Sequence, residues 1–541
     1  MGNFLATAVQ ELEPPRTGVV GNEAPLHCLP YKPRRWSIRI GKNISAQVRL
    51  LTWLAQVVVV LAAENEPRAA RDPENIPRAK RGRAGYYLAI VERWRGVSEA
   101  DKRFCAAAFR VLESQPDASY ADLAADGEVA TLLQKDQRLL LGGPMLGAVS
   151  SEGARVWVRT ARPAKVEIAV KTDGTEKTFG PVTTSRETDL AAVVTVTGLK
   201  PGGSYPYDVL IDGQRVTPPH EAAITPVATD ARQARIAFGA DYHVGGLGNL
   251  KLAEAILQRR PAALLLLGDI AVQDEGRHRG NMRCGYLARD ISPAWRKLVA
   301  NIPVYATWDD HDYLGNDQFG LPRGYSEQDR RHVWEVFRHA WNNPSYGLGE
   351  QGGGLFFRTR IGPCDVIMLD TRYFRSRGNF LGTEQYKWLE DQLLQCNGPF
   401  VIISSGTMWS DYVSGGKDSW GVYDPQGRER IFSLIEKHRI GGVLLISGDR
   451  HGARGFRIPR PSGFNFYEFE VGCLGRQGGP PISDPAWKNV QLFGVEKVAA
   501  FGEFAFDAAR DDPTVTFRLI DEDGATRYEV TITRSQLTPP Q

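Results

Sequence analysis

Ala262 to Asp274 reads AALLLLGDIAVQD. A half-buried strand alternates apolar and polar side chains. An unbroken apolar run that stops at Gly-Asp is instead a strand covered on both faces. Five more runs have this character: RIAFGA (235–240), IPVYATW (302–308), DVIMLD (365–370), FVIISSG (400–406) and GVLLISG (442–448). Stretches with helical periodicity lie between them: NLKLAEAILQRR (249–260), SEQDRRHVWEVFRHAW (326–341), TEQYKWLEDQLLQ (383–395) and RERIFSLIEKH (428–438). Two-sided strands joined by helices define the α/β class, with a sheet covered on both sides. At the C-terminal end, TVTFRLIDEDGATRYEVTITR (514–534) returns to alternation and predicts a hairpin across Asp523-Gly524.

Before Arg235 the pattern differs. ARVWVRT (154–160), KVEIAVKTDG (165–174) and AAVVTVTGLKPGGSYPYDVLIDGQ (191–214) alternate with period two between Gly and Pro turns. Short strands at this spacing predict a small β-sandwich of immunoglobulin or fibronectin type. Upstream, YYLAIVERW (86–94) and SEADKRFCAAAFRVLES (98–114) carry helical spacing, with Ser98 placed to cap the second. ENEPRAARDPENIPRAKRGRAG (64–85) has too little apolar content for a core and reads as a linker. The expected organisation is an N-terminal extension and linker over 1–85, a helical accessory segment over 86–138, a β-sandwich over 139–228 and a catalytic α/β domain over 233–535.

The 541 residues are 42% hydrophobic and 24% charged, with a net charge of +3. That balance gives no argument for nucleic acid or an anionic membrane as a partner. Six cysteines without a C-x-x-C pair suggest neither a zinc finger nor a disulfide scaffold, and leave one or two bridges open. The longest apolar run, LLTWLAQVVVVLAA (50–63), is shorter than the roughly 20 residues that span a bilayer. With Arg34-Arg35 before it, a twin-arginine export signal competes with a buried element. MGNFLA has Ala6 where a myristoylation site wants Ser or Thr.

In open α/β sheets the chemistry collects beyond the carboxyl ends of the strands. Asp241-Tyr242-His243 follow the first of these strands, Asp269 and Asp274 the second, and Asp309-Asp310-His311-Asp312 the third. DVIMLD ends in Asp370 with Arg372 beyond, and GVLLISG is followed by Asp449-Arg450-His451. One Asp at a strand end is ordinarily a cap or a turn. Five at one edge, three of them with histidine, crowd about six carboxylates that cannot all ionise without a cation. Imidazole with carboxylate is a ligand set for zinc, iron or manganese.

D-x-H, then GD, then a carboxylate beside His, then G-x-x-H, resembles the calcineurin-like metallophosphoesterases. WDDHDYLGND (308–317), IMLDTRYFR (367–375), LGTEQYKWLEDQL (381–393) and LLISGDRH (444–451) are similar to the alkaline phosphatase D (PhoD-like) family. GGPMLGAVSSEGARVWVRT (142–160) matches the small β-sandwich that precedes its catalytic domain. The resemblance covers roughly 139–530. It implies a metallophosphoesterase β-sandwich flanked by helices and a hydrolase acting on phosphate monoesters or diesters. It implies two divalent ions, Mn, Zn or Fe, with calcium at a second site. Asp241, His243, Asp269 and His451 would hold one ion. Asp269 would bridge to the second, completed by Asp310 and Asp449. His311 would serve as general acid, Asp312 would orient it, and Arg372 and Arg450 would grip phosphate oxygens. The family usually has Cys at the position of Asp241 and Tyr at that of Val272. Their replacement implies no tyrosinate–iron colour.

The expected substrate is a small phosphate ester or phospholipid-type molecule, bound by a monomer with no transmembrane segment and no specific nucleic-acid binding, and the family implies an extracytoplasmic setting. Two other readings compete: a non-catalytic β-sandwich binding protein and a D-x-H nuclease. EGRHRGNMRCGYLARD (275–290) reads as a solvated loop that could line a substrate channel. Trp308, Trp409 and Trp420 stand where they could touch an organic leaving group. Glu468 and Glu470 read as alternating strand residues.

Overall fold

The computed structural model describes residues 84–216, 221–413, 418–476 and 478–541. The Leu50–Ala63 run, the Arg34-Arg35 pair, the N-terminal MGNFLA and all but the last two residues of the expected linker lie outside the described residues.

Each two-sided apolar run becomes a strand shared between two layers. In the Ala263–Leu266 strand, Leu264 and Leu266 pack toward helices, while Ala263, Leu265 and the following Leu267 enter a central layer. Val443–Ser447 divides the same way: Val443 and Leu445 pack against helices, Leu444 and Ile446 inward. Two sheets meet on that central layer. The first has six strands in the order Val304–Ala306, Ala263–Leu266, Gln233–Gly239, Ala500–Asp507, Thr514–Asp521 and Thr526–Thr533. Its first three strands are parallel and the remaining pairings antiparallel, ending in the hairpin expected at Asp523-Gly524. The second has seven strands, in which Cys364–Met368, Phe400–Ser404, Val443–Ser447 and Asn465–Gly472 are successive parallel neighbours. Phe238, Phe504 and Phe517 of the first sheet pack with Phe469 and Ile402 of the second. Thus each sheet has helices on one face and the other sheet on its second face, an α/β/β/α arrangement.

Helices Gly382–Gln395 and Pro425–Lys437 cover the seven-stranded sheet. The six-stranded sheet is covered by Leu250–Arg259, Arg279–Ile291, Pro293–Val299 and Glu327–Ala340, joined by the N-terminal helices Ala84–Val91 and Glu99–Glu113. Ser98 caps the latter by accepting from Asp101 N. The expected loop over 275–290 is largely helix: Arg279–Ile291 is buried at every position from Gly280 onward. Arg283 and Arg289 are buried and structural rather than channel-lining, whereas Arg277 is exposed. The charge that suggested solvent is instead neutralised within the fold.

The smaller sandwich packs a three-stranded sheet (Leu140–Gly147, Ala154–Thr160, Ala191–Val196) on a five-stranded one, around Val156, Val166, Ile168, Val194 and Val209. A buried ionic cluster joins it to the Arg279–Ile291 helix. Arg283 Nε lies 2.9 Å from Asp189 Oδ2, Arg159 Nη1 3.5 Å from Asp290 Oδ2, and Arg289 Nη2 2.8 Å from Asp290 Oδ1. Among the described residues, no helix is long and apolar enough to cross a membrane, and Cys105, Cys284, Cys364, Cys396 and Cys473 are free thiols. Deleting one partner of a buried ion pair strands the other. Asp189→Ala is therefore expected to destabilise the protein by about 3–5 kcal/mol in urea unfolding, well beyond an exposed Asp→Ala.

Candidate metal centre

Parallel strands bring their carboxyl ends to one edge, and the two sheets present those edges to each other. The first sheet supplies Asp241 and His243, Asp269, and Asp309 to Asp312; the second supplies Asp370, Arg372 and Asp449 to His451. Backbone conformation at this edge is unusual. Asp241, His243, Asp269, Asp274, Asp449 and His451 all hold positive φ, between 42° and 69°. For non-glycine residues this costs roughly 1–2 kcal/mol each, so the surrounding fold must impose it. Gly268, at φ 111°, lets the chain turn where a Cβ would strike Asp309.

Three groups of ligand atoms converge, each within 4.8 Å: Asp241, His243 and His451; Asp269, Asp310 and His311; and Asp309, Asp310 and Asp449. His451 Nε2 is 3.6 Å and His243 Nε2 4.0 Å from Asp241 Oδ1, and His311 Nε2 is 3.9 Å from Asp269 Oδ2. The three imidazoles stand edge to face, with His243 centred 5.4 Å from His311 and 5.5 Å from His451. Asp241 Oδ1 and Asp269 Oδ1 are buried without a hydrogen-bond donor. A buried carboxylate oxygen without a donor calls for a cation. Burial, with Asp449 and Glu470 nearby, pushes Asp241 well above the usual carboxylate range; burial with Asp310 and Asp309 does the same to Asp269. The donor set of oxygens and imidazoles fits a divalent ion of the zinc, iron or manganese kind.

The remaining charges at this edge are compensated by protein. Asp309, which had no expected role, takes a two-pronged bond from Arg372, with Nε 2.5 Å and Nη2 2.9 Å from its oxygens. Arg372 Nη2 also lies 3.6 Å from both Asp418 Oδ2 and Asp449 Oδ1. Arg372, expected to grip a phosphate, is fully buried and gives Nε and Nη2 to Asp309, with Nη1 left without a partner. Arg450 differs. Its side chain is 15% exposed, its Nη1 is 3.3 Å from Asp449 Oδ2, and its Nε has no partner.

Asp312 was expected to orient His311; it does not touch it. Its carboxylate accepts from the backbone N–H of Asp269 at 2.6 Å and, more distantly, of Ile270 and Val272. It shapes the turn after the Ala263–Leu266 strand. The group that holds His311 is Asp274, whose Oδ1 lies 2.7 Å from Nδ1 and also accepts from Asn316 N at 2.7 Å. The neighbouring Gln273 amide sits 2.7 Å from Nδ1 of His243. Asp274 lies within the opening stretch of sequence, five residues past Asp269, but its meeting with His311 depends on pairing between different strands.

Trp308, Trp409 and Trp420 are fully buried and cannot meet a leaving group. Trp308 Nε1 donates to Asp370 Oδ1 at 2.8 Å, and the other two stack on each other at 4.6 Å. Glu468 is more than an alternating strand residue: it accepts from Trp409 N, Ser410 N and Ser447 Oγ, fixing the loop after Phe400–Ser404. Glu470 pairs with Arg454 at 2.8 Å, both fully buried.

Two sheets packed face to face, flanked by helices, with such a cluster at their common edge, define a metallophosphoesterase, a hydrolase of phosphoric esters. Residues 271–538 match the PhoD-like phosphatase family and belong to it. Residues 137–229 match a domain of unknown function, DUF7800. The fold is similar to a solved structure of PhoD, at TM-score 0.61 and 16% identity over 74% of this chain and 92% of that one. It is also similar to the purple acid phosphatase PPD1 from yellow lupin (Lupinus luteus) seeds, at TM-score 0.55 and 15% identity over 72% and 74% of the two chains. A comparison with curated protein sequences gives no match.

Against the opposing effect of burial, Asp274 and Asp310 push His311 up to about 9. A histidine raised on folding contributes stability that is full below about pH 6.5 and is lost as pH rises through its folded value. The metal-free protein is therefore expected to lose stability between about pH 6.5 and 9. Asp274→Asn should shrink that loss and lower the His311 titration seen by imidazole NMR. Asp312→Asn should leave Asp274 as the His311 partner.

Proposed function

We propose that the chain is a metal-dependent phosphohydrolase of phosphate monoesters and diesters. The observation that carries this reading is the pair of donorless buried carboxylate oxygens, on Asp241 and Asp269, facing three imidazoles across the two sheet edges. Asp241, His243 and His451 would hold one divalent ion. Asp269 would be shared with a second, which Asp310 and Asp449 complete. Bound there, two such ions lower the pKa of a shared water and neutralise charge on the phosphate.

The protein's own groups supply the rest. Arg450, with donors left over from its contact to Asp449, binds a non-bridging phosphate oxygen. His311 presents Nε2 toward the site while Asp274 holds Nδ1, the arrangement a proton donor to a leaving oxygen needs. Arg372 bonds both oxygens of Asp309, orients it at the base of the site and acts through position. Asp241 and Val272 stand where thiolate and phenolate ligands would favour ferric iron, so Mn, Zn or Fe(II) is the proposed occupant. An extracytoplasmic setting follows from the family alone. A protein that worked through its sandwich only would have no use for six strained residues at this edge.

Hydrolysis of p-nitrophenyl phosphate and bis(p-nitrophenyl) phosphate, paired with metal analysis, tests the reading. Excess chelator and Asp269→Ala are each expected to abolish turnover. His311→Ala is expected to lower it by about 10²–10⁴ with metal retained. Full activity in chelator or in Asp269→Ala contradicts the two-ion centre, and a strong visible absorption band in the purified protein contradicts the metal assignment.

A further inference from the structure

One short loop, Val272–Glu275, contacts the outer nitrogens of two of the three imidazoles. Gln273 meets Nδ1 of His243 and Asp274 meets Nδ1 of His311, both at 2.7 Å. Groups that hold a ligating histidine from behind fix its ring orientation, and their loss typically weakens metal binding 10- to 100-fold. What fixes this loop therefore bears on the metal. Its backbone turns through positive φ at Asp274, a conformation that needs support.

The support comes from the N-terminal helix Ala84–Val91. Tyr87 is fully buried, and its hydroxyl reaches the loop on both sides of Asp274. It accepts from Gln273 N at 3.1 Å and donates to Glu275 Oε1 at 2.6 Å. Its ring lies against Gly285, where a Cβ would come within 3.2 Å. Seven residues on, Trp94 donates from Nε1 to Gly245 O at 3.2 Å, and its ring occupies the space a Cβ on Gly248 would need. Gly245 lies two residues beyond His243. The same short segment thus touches both loops that carry the first-sheet ligands, those after Gln233–Gly239 and after Ala263–Leu266. Residues 84–94 lie outside both stretches matched by family models.

We propose that Tyr87 is a positioning residue of the metal centre: through the Val272–Glu275 loop it fixes the orientation of the ligand His243, and with it the affinity for divalent metal, and through the same loop it places His311 as proton donor. This rests on the metal-centre reading above. Gln273 Nε2 faces Nδ1 of His243 and also donates to Val272 O at 3.0 Å; a histidine that ligates through Nε2 carries its proton on Nδ1, so metal binding requires the Gln273 amide to turn its oxygen to the ring.

The test measures the affinity of the full-length, metal-free protein for Zn(II) and Mn(II) by chelator competition, with Co(II) absorption as a report on ligand geometry. Tyr87→Phe keeps the ring and removes only the hydroxyl. It is expected to weaken binding at least tenfold and to alter the Co(II) bands. Tyr120→Phe is the matched control. Tyr120 is equally buried and donates to Arg283 O at 2.7 Å, away from the loop; binding should stay within twofold of wild type. Equal metal affinity in the two variants overturns the proposal. If Tyr87→Phe is not recovered folded, the link is tested from its other end. Gln273→Leu should reproduce the tenfold loss, whereas Gln273→Glu, which keeps an acceptor toward Nδ1, should preserve binding; no loss in Gln273→Leu overturns the proposal. Asp241→Asn separates the two levels: undiminished metal binding there refutes the centre itself rather than the role of Tyr87.

Discussion

Asp241, Asp269, Asp309, Asp310 and Asp312 are buried at one sheet edge, with Asp449 nearly so, and the protein neutralises only some of their charge. Asp312 is satisfied by backbone N–H groups and Asp309 by Arg372. Asp310, despite burial, is held down to about 2 by Arg372 and His311. Asp241 and Asp269 each keep an oxygen with no donor. The division is informative. Asp309 and Asp312, taken up by protein partners, form the frame; the donorless oxygens of Asp241 and Asp269 mark where a cation belongs, beside Asp310 and Asp449 in the same clusters. Much of the surrounding structure serves this division, from the left-handed turns that aim the ligands to the glycine at 268 that lets two strand ends approach.

Arg372 shows how a buried charge is shared among several carboxylates. Its guanidinium is fully buried, bonded to Asp309 and within 3.6 Å of Asp418 and Asp449. Arg375, bonded to Asp418, extends the same network behind the site. A cation fixed there offsets part of the carboxylate repulsion that the edge would otherwise suffer. Arg450, on the opposite side of Asp449, keeps solvent access and spare donors. Two arginines of similar sequence context, each within two residues of a strand-end Asp, thus take different work because one is enclosed and the other is not.

The histidines repeat the pattern one shell outward. The outward nitrogens of His243 and His311 are held by Gln273 and Asp274, the loop carrying those residues is held by Tyr87, and Tyr87 belongs to a helix packed on the outside of the six-stranded sheet. The ligand geometry is therefore set by packing that reaches beyond the catalytic layers into the N-terminal segment.

The sequence alone determined the α/β class, the small sandwich before it, the C-terminal hairpin and the set of Asp and His residues at strand ends. All of these follow from local periodicity and from residue type next to a strand terminus, which one segment reveals by itself. Partnership did not follow. Asp312 stands next to His311 in the chain yet bonds the backbone of another loop, while Asp274, 37 residues away, holds the imidazole. The arginine-rich 275–290 segment looked solvated because charge usually is; from Gly280 onward it is buried, with Arg283 neutralised by Asp189 of the smaller sandwich and Arg289 by its neighbour Asp290. Tyr87 carried no signal at all. Which carboxylate meets which cation depends on how separate strands and helices pack, and only the tertiary structure decides that.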